Sequence, residues 1–135
     1  MKQKLKCILL VDDDEATNFV HKILIRKFDC AEKVIAVHNG KEALDYLKNN
    51  INQMPELVLT DINMPAMSGW EFLEEFEKSD PEIKNVIVIV MLTTSLNPDD
   101  RERAKSIKCL RGYESKPLTS YTLERIFSEH FPNLI

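Results

Sequence analysis

The feature that most constrains the fold of this chain is its alternation of β-type runs with amphipathic helical segments. The first run, at 5–11, and the strongest, at 85–93, are largely apolar, which is typical of strands buried on both faces. Further runs lie at 33–37, 56–61 and 111–116. Strands that alternate with helices form a parallel sheet with right-handed crossovers and helices on both faces. The sequence therefore predicts an α/β fold with a doubly wound sheet of five strands and five helices.

The predicted helices are recognised by apolar residues at intervals of three and four. In the first helix these residues are Ala16, Phe19, Val20, Ile23, Leu24 and Phe28. The others cover 39–50, a segment opened by Ser68, a segment from Asn97 to about Ile107, and a final one capped by Thr119 or Ser120. The helix after Asn97 has little apolar surface beyond Ala104 and Ile107.

Length and composition favour one globular domain covering residues 1–135, large enough to bury a single core. The net charge of −4 and the scattered basic residues argue against direct contact with nucleic acid. The apolar run near the N-terminus is short and ends in acids, so it fits neither a signal peptide nor membrane insertion. Cys7, Cys30 and Cys109 are odd in number and far apart, which predicts reduced thiols in a cytoplasm.

Polar residues follow the predicted strands, and in open α/β sheets sites form at the carboxyl ends of strands. In chain order these residues are Asp12, Asp13 and Asp14, then His38 and Asn39, then Asp61, then Thr93, Thr94 and Ser95, then Lys116. Adjacent acids repel one another and cost stability unless a cation, a helix start or water takes them up. We therefore expect acids, hydroxyls and an amine to meet at one edge of the sheet.

Four segments of the chain resemble the signatures of the CheY-like receiver domain of bacterial response regulators, in the right order and at nearly the right spacing. They read ILLVDDDE, LVLTDINMPAMSG, VIVIVMLTTS and YESKPL. The resemblance covers essentially the whole chain, and the set of four is far more specific than any one of them. It implies a flavodoxin-like fold with strand order 2-1-3-4-5.

With this strand order, the ends of the first, third, fourth and fifth strands are neighbours, about 4.8 Å apart. Asp61 then lies beside the acids of the first strand, and Lys116 lies two spacings away with Thr93 between them. Grouped carboxylates suit a hard divalent cation that prefers oxygen ligands, which indicates Mg²⁺. The acids Asp12, Asp13 and Asp61 carry three negative charges, which the lysine and Mg²⁺ together balance.

The resemblance implies a role for each site residue. Asp61 is the residue that accepts a phosphoryl group and forms an aspartyl phosphate. The implied magnesium ligands are the carboxylates of Asp12, Asp13 and Asp61 and the backbone carbonyl of Asn63. Lys116, whose bond to Pro117 is expected to be cis, and Thr93 are the implied catalytic residues that contact the phosphoryl group.

The resemblance also implies a switch and its partners. Phosphorylation draws Thr93 and its loop inward, and Tyr113 then moves from an exposed to a buried position. The output surface is the fourth helix, the fifth strand and the final helix. The expected phosphodonor is a sensor histidine kinase or histidine phosphotransfer protein. We expect a stand-alone cytoplasmic receiver that catalyses only its own phosphotransfer and dephosphorylation and signals to a downstream protein target.

Each site residue also has a structural interpretation that the sequence alone leaves open. Asp12–Asp14 could cap the first helix, although we expect only the last of them to do so. Asp61 lies in a turn-like segment. An extra residue in 108–112 assigns the phosphoryl-contacting hydroxyl to Thr93, whereas gapless spacing to the lysine would assign it to Thr94. The three histidines share no metal spacing and are expected at the surface or at caps.

Other protein classes remain open at this point. A phosphatase of the haloacid dehalogenase type needs a second acid two residues after its nucleophile, where Asn63 stands. A flavodoxin-like cofactor carrier needs a loop of hydroxyls or glycines after the first strand, where acids would repel phosphate. An inactive receiver used only for docking is the third alternative, and the complete set of site residues argues against it.

Overall fold

The computed structural model describes residues 3–134 and contains a five-stranded sheet in which every pairing is parallel. The strands are β1 (Leu5–Val11), β2 (Ala31–Val37), β3 (Leu57–Thr60), β4 (Val88–Thr93) and β5 (Leu110–Ser115). Their spatial order is β2-β1-β3-β4-β5, which confirms the order implied by the resemblance. The shortest strand, β3, therefore lies at the centre between β1 and β4.

Five substantial helices connect and cover these strands, as the sequence predicts. They are α1 (Glu15–Phe28), α2 (Gly40–Asn49), α3 (Gly69–Glu77), α4 (Pro98–Lys105) and α5 (Ser120–His130). Pro81–Lys84 forms one further helical turn, and because Asn85 caps it, β4 begins at Val88 rather than at the predicted residue 85. Within the described residues, no helix combines the length and apolar character needed to cross a bilayer.

The two faces of the sheet hold separate hydrophobic cores. Alternate residues of β1 enter different cores because side chains along a strand point to opposite faces. Leu9 and Val11 pack with the helices α2 and α3, whereas Ile8 and Leu10 pack with α1 and α5. The phenylalanines Phe72 and Phe76 of α3 and Phe127 of α5 are fully buried in these two cores. Both layers hold the strands rigidly, so the strand ends that carry the polar residues are fixed relative to one another.

Helix α1 turns a different face inward than its apolar spacing indicates. Phe19 and Val20 are 65% and 55% exposed, whereas the buried residues of the helix are Asn18, His21 and Ile25. Hydrophobicity alone therefore predicts the wrong inner face for the first half of this helix. The exposed apolar residues leave an unpartnered patch on the outside of α1.

The two buried polar residues of α1 each make a hydrogen bond to the backbone beyond a strand end, while Asn18 Oδ1 has no partner among residues 3–134. Asn18 Nδ2 donates to the backbone carbonyl of Asp12 at 2.9 Å. His21 Nε2 accepts from the backbone N–H of Leu118 at 3.3 Å. Burial, reinforced by the charge of Lys116, lowers the pKa of His21, which keeps the ring neutral and able to accept. The surface or capping position predicted for this histidine is wrong.

The ladder between β4 and β5 carries a β-bulge. Ile89 pairs with Leu110 but Val90 pairs with Gly112, so Arg111 is the extra residue on β5. A Cβ on Gly112 would lie 3.3 Å from the methyl groups of Val90, so the bulged strand approaches β4 closely at this point. Arg111 lies within 108–112, but whether it is the extra residue expected there stays a prediction.

Helix α3 begins directly against the end of β3, and Gly69 makes this possible. Ser68 and Glu71 form a capping box in which the serine hydroxyl accepts from the Glu71 N–H and the glutamate accepts from the Ser68 N–H. A Cβ on Gly69 would lie only 2.1 Å from the backbone carbonyl oxygen of Asp61. The absence of a side chain at this position fixes where Asp61 sits.

Gly69→Ala should therefore displace the Asp61 backbone and lower the free energy of unfolding by more than about 2 kcal/mol, because neither chain segment has room to move. Urea denaturation followed by circular dichroism measures this change. Ala66 has a φ of 65°, so the reverse exchange, Ala66→Gly, should leave stability unchanged or raise it by up to about 1 kcal/mol. Equal changes in the free energy of unfolding for Gly69→Ala and Ala66→Gly would show that the contact between Gly69 and Asp61 is not tightly packed.

Candidate functional site

The carboxyl ends of the strands bring the predicted acids together. Asp12, Asp13 and Asp61 each offer a carboxylate oxygen, and these oxygens lie within 4.8 Å of one another. Asp12 is buried, Asp61 is half-buried and Asp13 is exposed. The group therefore places three carboxylates close together at the ends of β1 and β3.

Lys116 connects two of these acids. Its Nζ donates to Asp12 Oδ2 at 2.5 Å and lies 3.1 Å from Asp61 Oδ2. The lysine is held at this place because its backbone N–H donates to the carbonyl of Thr93 at 2.9 Å, at the end of β4. The peptide bond between Lys116 and Pro117 is cis, as predicted. Three strand ends are thus joined through one ammonium group.

Burial and charge act in opposite directions on the central pair. Burial raises the pKa of Asp61, and the Ile62 N–H at 2.8 Å and Lys116 oppose this rise without cancelling it. For Lys116, burial acts to lower the pKa, but the hydrogen bond to Asp12 and the charge of Asp61 outweigh it and raise the value. The lysine stays charged, while three carboxylates facing one ammonium leave an excess of negative charge.

Asp14 is separated from this group and belongs to the helix. It is the N-cap residue of α1, and its Oδ2 accepts from the Thr17 hydroxyl at 2.5 Å. Asp12 Oδ1 accepts from the Asp14 N–H at 2.9 Å, which turns the chain from β1 into α1. Of the four consecutive acids, Asp12 and Asp13 are therefore the two that face Asp61.

The acid group fits a divalent cation. Its donors are carboxylate oxygens, which hard cations such as Mg²⁺ and Ca²⁺ prefer, and Asp13 is exposed where an ion would enter. A divalent cation would also remove the charge excess left by Lys116. Asn63, whose backbone carbonyl is predicted to join the ligands, is an exposed residue two positions after Asp61, and its role stays a prediction.

Thr93 and Thr94 differ sharply in their surroundings. Thr93 is the last residue of β4 and is 3% exposed, whereas Thr94 is exposed. Thr93 Oγ1 accepts from the backbone N–H of Ser95 at 3.0 Å, so its own proton remains available for donation. The choice of Thr93 over Thr94 as the residue beside a bound phosphoryl group stays a prediction.

Ser95 links this hydroxyl to α4. Its Oγ donates to Asp100 Oδ2 at 2.6 Å and accepts from the Asn97 N–H at 3.2 Å. Asp100 lies in the first turn of α4, so hydrogen bonds connect Thr93 through Ser95 to the start of that helix. Nothing in the sequence marks Asp100, because its contact depends on how the loop folds back.

Tyr113 lies on the edge strand β5, opposite Met91 in the ladder. Its side chain is half-buried, and its hydroxyl is fully buried with no hydrogen-bond partner among residues 3–134. The guanidinium of Arg101 on α4 lies 5.2 Å from the centre of its ring. Tyr113, the predicted switch tyrosine, therefore contacts α4 through Arg101.

Comparisons with known proteins agree with the fold. A family model described as response regulator receiver domain matches residues 8–127. The probable methanogenesis regulatory protein FilR2 of Methanothrix harundinacea is 33% identical over 125 residues, which are 90% of this chain and 79% of that protein. The two-component response regulator ORR1 of rice is 33% identical over 128 residues, 88% of this chain and 52% of that protein. A crystal structure of a two-component response regulator from Cytophaga hutchinsonii has a TM-score of 0.87 at 31% identity and covers 94% of this chain and 97% of that one.

The chain belongs to the response regulator receiver domain family of two-component signalling. Receiver domains are signalling domains, so this membership decides against the phosphatase and the cofactor carrier that the sequence left open. The chain spans about half the length of the rice regulator that it resembles.

The raised pKa of Asp61 predicts a pH-dependent effect of Asp61→Asn when divalent cations are removed. Because the pKa is higher in the folded than in the unfolded chain, this group's contribution to stability is present at low pH and lost as pH rises. The variant should be more stable than wild type near neutral pH by on the order of 1–3 kcal/mol. The higher stability of the variant should vanish as the pH falls towards about 4, which is near the ordinary pKa of an aspartate.

Urea denaturation at several pH values in the presence of a chelator measures this difference. Asp45→Asn, on the exposed side of α2, is the matched control and should change stability by less than about 0.5 kcal/mol. A destabilised Asp61→Asn variant, or a gain that does not depend on pH, would show that burial does not dominate at this carboxylate.

Proposed function

We propose that this receiver domain accepts a phosphoryl group on Asp61 from a histidine kinase or a histidine phosphotransfer protein, in a reaction that requires Mg²⁺. The position of Asp61 carries the proposal. Its carboxylate lies at the end of the central strand, 3.1 Å from Lys116 Nζ, and groups with two further acids. A nucleophilic carboxylate between an ammonium and a cation site has what phosphoryl transfer needs.

In the proposed reaction, an Oδ of Asp61 attacks the phosphorus of a phosphohistidine. A phosphorus–oxygen bond forms as the phosphorus–nitrogen bond breaks, and the imidazole nitrogen leaves with the electron pair and takes up a proton. Lys116 opposes the burial that raises the pKa of Asp61, and its ammonium can face the oxygens of the transferred group. The product is an aspartyl phosphate on this chain.

The proposed cation ligands are the carboxylates of Asp12, Asp13 and Asp61 and the backbone carbonyl of Asn63. When bound, Mg²⁺ supplies neutralisation of the negative charge that the phosphoryl group brings. The need for this charge follows from the site itself, because three carboxylates face a single ammonium.

Incubation with acetyl phosphate followed by intact-mass measurement tests the proposal. We expect one base-labile phosphoryl adduct on the wild type, formed only with Mg²⁺, because acetate leaves readily when the carboxylate attacks phosphorus. Asp61→Asn should give no adduct, and the control Asp45→Asn should react like wild type. An adduct of wild-type yield on Asp61→Asn would refute the assignment of the phosphoacceptor.

Binding of Mg²⁺ is tested by its effect on stability. Mg²⁺ at a hundredfold its dissociation constant should raise the free energy of unfolding by about 2.7 kcal/mol, measured by thermal or urea denaturation. Asp13→Asn should lose most of this gain because it removes one carboxylate of the group. Asp14→Asn, the same change one residue on, should keep it, since Asp14 contacts Thr17. Equal loss in both variants would contradict a specific site.

The proposed switch starts from Thr93. Its buried hydroxyl has a proton to donate, and a new phosphoryl group adds a charge of about −1.5 to −2 beside it. Movement of Thr93 towards the phosphoryl group breaks its contact with the Ser95 N–H, and Ser95 is hydrogen-bonded to Asp100 in α4. Local charge would thereby alter the position of α4.

Tyr113 is the proposed second part of the switch. A hydroxyl buried without a partner costs about 1–3 kcal/mol, and among residues 3–134 the Tyr113 hydroxyl is in this situation. The buried position of the Tyr113 ring is therefore only marginally favoured, and the ring can move to an exposed position. We assign the inward position to the phosphorylated domain, with α4, β5 and α5 as the output surface.

The exposed face of α1 is the proposed docking place of the phosphodonor. A cleft of about 390 Å³ lies between α1 and the site loops, lined by Val20 and His21 on one side and by Lys116 and Pro117 on the other. Phe19, the neighbour of Val20 on α1, is also an exposed apolar residue of this helix. A donor helix seated there would bring its histidine to the edge of the sheet that holds Asp61. We propose a cytoplasmic setting, which the free thiols of Cys7 and Cys109 support.

A further inference from the structure

A cleft between α4 and β5 concentrates positive charge on the proposed output surface. It measures about 200 Å³ and is lined by three cations, Arg101, Lys105 and Arg111, and by no acid. The chain as a whole has 22 acidic and 18 basic residues, so such a group runs against its overall charge. The rest of the lining is apolar or glycine, with Leu110, Gly112 and Tyr113 forming most of it.

The cations of this cleft are poorly neutralised by the protein itself. Within residues 3–134, neither Arg101 nor Arg111 takes part in an ion pair. Lys105 meets Glu102 at 3.2 Å, but this exposed pair within one helix contributes little. Glu114, the next acid along β5, is paired with Arg125 on α5. The cleft therefore has positive charge available for a partner.

The β-bulge places one of these cations in the cleft. Arg111 is the extra residue of β5, and it and Gly112 both line the cleft instead of alternating between the two faces of the sheet. A Cβ on Gly112 would meet the methyl groups of Val90 at 3.3 Å, so this glycine lines the cleft with its backbone alone. The irregularity in β5 thus adds a charge to the cleft.

The cleft is also connected to the switch. Arg101 lies over the ring of Tyr113 at 5.2 Å from its centre, so a change in the position of Tyr113 moves or releases this guanidinium. Arg101 belongs to α4, the helix that Ser95 and Asp100 link to Thr93. The charge presented by the cleft therefore depends on the state of the phosphorylation site.

We propose, on the basis of the proposed function, that this cleft binds an acidic segment of the downstream protein. One apolar side chain of the segment rests on Leu110 and Tyr113, and aspartates or glutamates beside it face Arg101 and Arg111. The cleft has room for about one large side chain. Three cations are few for a nucleic acid backbone or a lipid surface, which are neutralised by extended basic surfaces.

Selection of short random peptides displayed on phage, against the immobilised full chain, tests this proposal. The selection is run before and after treatment with acetyl phosphate. We expect the recovered peptides to be enriched in aspartate and glutamate around a leucine, isoleucine or phenylalanine. In fluorescence anisotropy, the best peptide should bind more tightly after phosphorylation and more weakly at high salt.

Arg111→Glu should weaken binding of this peptide at least about tenfold, because it reverses a charge in the cleft. Arg111→Gln should give an intermediate loss. Arg26→Glu, an equal charge change in the exposed last turn of α1, is the matched control and should bind like wild type. Circular dichroism of each variant establishes that the fold is retained.

Recovery of neutral or basic peptides, failure to recover any, or equal losses in Arg111→Glu and Arg26→Glu would each overturn the proposal. The same would follow if DNA or vesicles of anionic lipid bound the cleft more tightly than the acidic peptide. Intact mass is recorded on every sample, so a missing adduct would count against the phosphoacceptor. A normal phosphoryl adduct, together with recovered peptides that show no preference for acidic residues, would count against the cleft alone.

Discussion

The ammonium of Lys116 between Asp12 and Asp61 is the interaction on which the site depends. It exists only because the parallel order of the sheet brings the ends of β1, β3 and β5 to one edge, on either side of β4. One lysine cannot neutralise three acids, so the folded chain retains a charge excess at its most rigid edge. This excess of negative charge favours binding of a cation, and a phosphoryl group added to the site would change the net charge again.

The path from this site to the surface consists of short contacts. Thr93, Ser95 and Asp100 form a continuous hydrogen-bonded sequence from the end of β4 to the first turn of α4. On the neighbouring strand, Tyr113 has a buried hydroxyl and Arg101 over its ring. Helix α4 itself buries only Ala104, so little hydrophobic packing resists its movement. A local change in charge can therefore act on a weakly held helix.

Much of this arrangement could be predicted from the sequence. β1 was predicted at its observed bounds, because a continuous apolar run ended by acids leaves few alternatives. The inner face of α1 was not predicted correctly, because Asn18 and His21 are buried by contacts with distant backbone groups that no local pattern reveals. The bulge at Arg111 was not predicted either. Its position follows from how β5 pairs with β4, which is a property of the folded sheet.

The central claim is that Asp61, and no other acid at the sheet edge, becomes phosphorylated. Reduction of the acetyl phosphate-treated protein with borohydride converts an aspartyl phosphate to a stable alcohol, which peptide mapping by tandem mass spectrometry locates. Our account predicts the reduced residue at position 61, with Asp12 and Asp13 unmodified. Reduction at either of those two acids, or at a residue away from this edge, would contradict it.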